Sequence, residues 1–85
     1  MDLDANHEFD EMIYEIAINA GTPKQRAKRG AKGLSFLEAG HVPERLVNDL
    51  KSLKESYAAL ESMSEEEVRQ FITRIINFRD QLEHG

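Results

Sequence analysis

Without a cysteine in the chain, a metal site or a general base would have to be built from His7, His41 and His84 with neighbouring carboxylates. His7 and Glu11 stand one helical turn apart, as do Asp80 and His84, so each pair can offer two ligands to one ion. A zinc site takes three protein ligands or more. Each is read as a pair without a third ligand, so no metal is assigned. His41 falls between elements, just before Pro43, where a histidine caps carbonyls or faces water rather than moving a proton. No serine has a base set beside it by a local pattern, and no glycine-rich phosphate loop follows a strand. The residue types therefore point away from an enzyme, and no cofactor is implied.

Charge is the other chemistry available, and it is segregated. Residues 1–21 hold six acids and no lysine or arginine, whereas residues 22–37 hold Lys24, Arg26, Lys28, Arg29 and Lys32 and no acid. A chain of net charge −5 thus contains a segment of +5, and the remainder carries −10. If that segment is one continuous helix, Lys28, Arg29 and Lys32 share its outward face with Phe36. Such a face can dock an acidic protein surface, with Phe36 as apolar anchor and the cations steering the approach. The same face can hold a phosphate backbone while the ring stacks on a base, although a nucleic-acid binder usually shows a basic balance over the whole domain. A third arrangement needs no partner: a basic helix beside an acidic one is internal complementarity. Tyr14 and Ile18, one turn apart and flanked by Glu11 and Glu15, mark a separate surface for homodimer formation.

Two known site patterns fail on single residues. Arg29 to Lys32-Gly33 has the spacing of the His-x-x-Lys-Gly motif of histidine phosphotransfer bundles, but an arginine stands where the phosphorylated histidine must be. In acyl carrier proteins, also small, acidic and four-helical, the modified serine follows an aspartate. Here Ser35 follows Leu34.

The elements that must position these residues are helical throughout. Phe9, Met12, Ile13, Ile16, Ala17 and Ala20 recur at i, i+3, i+4, i+7 and predict a helix over 8–20, with Asp4 or Asn6 as cap and Gly21 as stop. Thr22, Pro23 and Gln25 form a capping box with proline in the first turn, predicting a second helix over 23–39 that ends at Gly40. Its inward face is Ala27, Gly30, Ala31, Leu34 and Leu37. Gly30 and Gly33 each cost about 1 kcal/mol in a helix interior, so a break there is the risk to this element. Pro43 opens a third helix over 43–61, with Leu46, Leu50, Leu53, Tyr57 and Leu60 as a seam. Ser64 and Glu67 form a capping box, with Met63 and Val68 at the staple positions, before a fourth helix over 65–83. Val68, Phe71, Ile72, Ile75 and Leu82 make its apolar stripe, Ile76 and Phe78 its edges. Arg79 falls inside the arc, its head expected to reach water.

The expectation is one all-α domain, a compact four-helix bundle, with up-and-down antiparallel topology as the most economical arrangement. At 85 residues it should have a radius of gyration of about 12 Å, which leaves room for one core and a shallow groove. No run of roughly 18 apolar residues offers a membrane span. No secretion signal is recognisable, so a cytoplasmic location is expected.

Overall fold

The computed structural model describes residues 4–84. The first helix, α1, spans Ala5–Ile18 and starts earlier than expected because Asp4 is its cap: the Asn6 N–H donates to Asp4 Oδ1 at 3.0 Å. Its end is made by Asn19, not Gly21. Asn19 turns extended, and both its backbone N–H and its Nδ2 donate to the Glu15 carbonyl, at 3.1 and 2.6 Å. Gly21, at φ +117°, then turns the chain toward Thr22. Phe9, Met12 and Ile16 are buried as expected, but Ala17 is exposed and Ala20 lies beyond the helix.

The second helix, α2, spans only Pro23–Gly30. Its capping box is complete: the Gln25 N–H donates to Thr22 Oγ1 at 3.2 Å, and the Thr22 N–H to Gln25 Oε1 at 3.1 Å. The continuous helix expected over 23–39 is not formed. A 3₁₀ segment, Ala31–Phe36, replaces its second half, and Leu37 is extended. The cause is the approach of α1. A Cβ on Gly30 would stand 2.8 Å from the Ile16 nitrogen, and one on Gly33 would stand 3.2 Å from Met12 Cγ. Glycine allows the contact and at the same points weakens the α-helix. Beyond it Ala31, Leu34 and Leu37 are all fully buried, a spacing of three that suits 3₁₀ geometry, in which i and i+3 eclipse. A further 3₁₀ turn, Ala39–His41, follows, so Gly40 ends no long helix. His41 caps a backbone N–H and not a carbonyl: its Nδ1 accepts the Glu38 N–H at 2.9 Å.

The third expected helix is an α-helical core, α3 (Val47–Ala58), between 3₁₀ turns Glu44–Leu46 and Leu60–Ser62. Leu46, Leu50, Leu53 and Leu60 are buried, while Tyr57 is half-buried. The last helix, α4 (Glu65–His84), opens on the expected box, with the Glu67 N–H on Ser64 Oγ at 3.2 Å and the Ser64 N–H on Glu67 Oε1 at 3.0 Å. It packs against all three other helices. Phe78 is not at the edge of its stripe: it is 3% exposed and stacks on Phe9 with ring centroids 4.7 Å apart.

Arg79 does not send its head to water. Its Nε and Nη2 grip Asp10 Oδ1 and Oδ2 at 2.6 and 3.2 Å, and Nη1 lies 3.7 Å from Glu83 Oε2. The side chain is only 20% exposed. The result is an all-α arrangement of four helices around one apolar core, with no strand among the described residues. Its radius of gyration is 12.1 Å, and no described helix is long and apolar enough to cross a membrane.

Candidate functional site

The five bases of residues 22–37 divide into two groups. Arg26 Nε donates to the Ile16 carbonyl at 2.9 Å, on the last turn of α1, which has no basic residue of its own. A cation there meets the negative end of the helix dipole. Lys24 Nζ donates to the Glu61 carbonyl at 3.2 Å. Lys28 Nζ pairs with the Glu61 carboxylate and holds it below the usual carboxylate range. The Lys28 carbonyl in turn accepts the Tyr57 hydroxyl at 3.2 Å. These three bases tie α2 to α1 and to the turn before α4.

Arg29 and Lys32 are different. Among the described residues no side-chain hydrogen bond or ion pair engages either cation. Both line a groove of about 260 Å³ between α1 and the α2–3₁₀ segment, and Phe36 lines it with them. Lys28, directed at Glu61, is not among the lining residues. The opposite wall is Glu8, Glu11 and Glu15 of α1, with buried Met12, Gly30 and Gly33 between the walls. Phe36 is 66% exposed, the most open large apolar side chain among the described residues. The 3₁₀ period explains this: Leu34 and Leu37 turn inward, and Phe36 falls between them.

Arg29, Lys32 and Phe36, expected on one face of a continuous helix, line the same groove from a broken element. Sequence reasoning placed Lys28 with them, and it missed the glutamate wall. The signal for that wall was present, since residues 8, 11 and 15 follow the same i, i+3, i+7 rule that marks the apolar face. Tyr14 and Ile18 are 62% and 56% exposed and lie i+3 from Glu11 and Glu15, outside the groove.

A larger groove of about 460 Å³ lies between Glu38–Ala39 and α3, over Val47 and Leu50. Its rim sets Glu38 and Glu55 against Lys51 and Lys54, and Lys54 Nζ is taken by the Leu37 carbonyl at 2.7 Å. His7 Nε2 meets Glu11 Oε1 at 3.1 Å, and no group of three metal-ligating side chains forms among the described residues. The Asp80–His84 pair lies outside the description, which does not include the His84 side chain. No known protein family, curated protein or solved structure matches the chain.

Proposed function

We propose that this chain is a non-enzymatic helical binding module that docks an acidic protein surface at the α1–3₁₀ groove. Phe36 is the apolar anchor, and Arg29 and Lys32 receive the partner's carboxylates. One observation carries the reading: Arg29 and Lys32, the two of the five bases of residues 22–37 whose side chains no hydrogen bond or ion pair engages among the described residues, stand beside the most exposed aromatic ring there. Lys28, already engaged by Glu61, contributes to the fold rather than to docking. A nucleic acid is the weaker occupant, because its continuous run of phosphates would also face Glu8, Glu11 and Glu15, whereas a protein can confine its carboxylates to the Arg29 and Lys32 wall. The module works without metal or cofactor, as a regulatory or interaction protein of the cytoplasm, where a cysteine-free chain needs no oxidising compartment.

Affinity capture from lysate with the wild type and Phe36→Ala as baits tests this. The variant should lose a captured protein by about tenfold or more, as an interface anchor does. Equal capture by both removes Phe36 as the anchor. Fluorescence anisotropy with duplex DNA and single-stranded RNA, at about 50 and 200 mM salt, tests the alternative. Binding that weakens steeply with salt and disappears in the Arg29→Glu, Lys32→Glu variant would replace the protein-partner reading.

A further inference from the structure

We infer that the acidic surface received by this groove is a second copy of the chain, its own α1 wall. The inference rests on the groove being a docking site and goes further by naming what docks. The two walls carry opposite charge: Glu8, Glu11 and Glu15 on one, Arg29 and Lys32 on the other. Two copies laid face to face can be related by a two-fold axis that lies in the interface. An axis across the groove would set glutamates on glutamates. An axis along the groove exchanges left and right, so each acidic wall meets the partner's basic wall, twice over.

The register is set by the packing within one copy. Gly30 lies against Ile16 and Gly33 against Met12 and Glu8, so the two segments run antiparallel and, to within one helical turn, Arg29 is level with Glu15 and Lys32 with Glu11. An axis along the groove preserves those levels, so each cation meets the glutamate level with it on the other copy. Both Phe36 rings then stand at the same end of the interface, where each loses part of its 66% exposure. The unpaired cations, the acidic stripe and the open ring are accounted for by one symmetric contact. The net charge of −5 per copy opposes association, which makes the dimer reversible and concentration-dependent.

The test is sedimentation equilibrium of the full chain and of two charge-reversal variants. The first is Glu11→Lys with Glu15→Lys, both exposed positions; the second is Arg29→Glu with Lys32→Glu. Thermal melts establish that each is folded. The wild type should shift with concentration from 9.7 kDa toward twice that mass. Each variant alone sets like charges together and should associate at least about tenfold more weakly. An equimolar mixture should recover a heterodimer, because each wall again meets its opposite. A wild type that stays at 9.7 kDa up to millimolar concentration overturns the inference. So does a dimer that survives both reversals, which would point to Tyr14 and Ile18, or a mixture that fails to associate. A monomeric wild type whose captured protein is still lost on Phe36→Ala would leave the docking reading standing without self-recognition.

Discussion

Gly30 and Arg79 are two single residues through which α1 is held in place, one by lacking a side chain and one by the reach of a long one. At Gly30 the α1 backbone is so near that a methyl group would meet the Ile16 nitrogen at 2.8 Å, and backbone cannot swing aside as a side-chain tip can. Gly30→Ala should therefore destabilise the fold by about 1–3 kcal/mol, the usual cost of overpacking. Gly40 has no atom within 4 Å of its would-be Cβ and no positive φ. Gly40→Ala should leave stability unchanged or raise it by up to about 1 kcal/mol, through the unfolded chain. Urea denaturation of the pair separates the two cases, and equal midpoints would refute the close-approach account. Arg79 shows why its destination was hidden in the sequence. Asp10 lies 69 positions away and becomes a neighbour only when α1 lies on α4.

At the scale of elements, the change from α-helix to 3₁₀ after Gly30 decides which side chains serve the core and which face a partner. Leu34 is fully buried and Phe36 is open, two residues apart. Leu34→Ala should cost about 2–5 kcal/mol, whereas Phe36→Ala should stay within about 0.5 kcal/mol of the wild type. Thermal melts check both, and a large loss from Phe36→Ala would mean the ring belongs to the core. The helix starts at Thr22 and Ser64 were legible because a capping box is local, its donors and acceptors lying three residues apart. The end of α2 was less so. The spacing of Ala31, Leu34 and Leu37 carries the 3₁₀ period, but those positions also satisfy a 3.6-residue face, and only the contact of Gly30 and Gly33 with α1 selects between them. The same indifference to neighbours put Phe78 at an edge, when its stacking on Phe9 makes it core.

For the whole molecule, three carboxylates held by hydrogen bonds in the fold give stability a pH dependence with a definite sign. Hydrogen bonds from Arg79 lower Asp10, a hydrogen bond from Lys28 lowers Glu61, and the Ser64 N–H followed by its hydroxyl lowers Glu67. In the unfolded chain these carboxylates take up protons near pH 4, roughly. In the folded chain they do so at lower pH. The unfolded state therefore binds more protons in that window, so the stability they contribute is complete above the unfolded pKa and is lost as pH falls through the folded values. The Tm should drop between about pH 5 and pH 2, and an Asp10→Asn, Glu61→Gln variant should show a flatter profile. Identical profiles would show that these pairs do not set the acid limit.

The helices, two of their caps, most of the core and the segregation of acid from base were determined by the sequence alone. Each rests on periodicity or capping within about one turn, and a chain carries that information before it folds. Which bases remain free was decided only by tertiary structure. Lys28 and Arg29 are adjacent and chemically alike in charge, yet one meets Glu61, 33 positions away, and the other faces an open groove. Charge–charge contact falls off with distance in space, and distance between remote residues is set by how α1, α2 and the turn before α4 pack, not by any spacing along the chain.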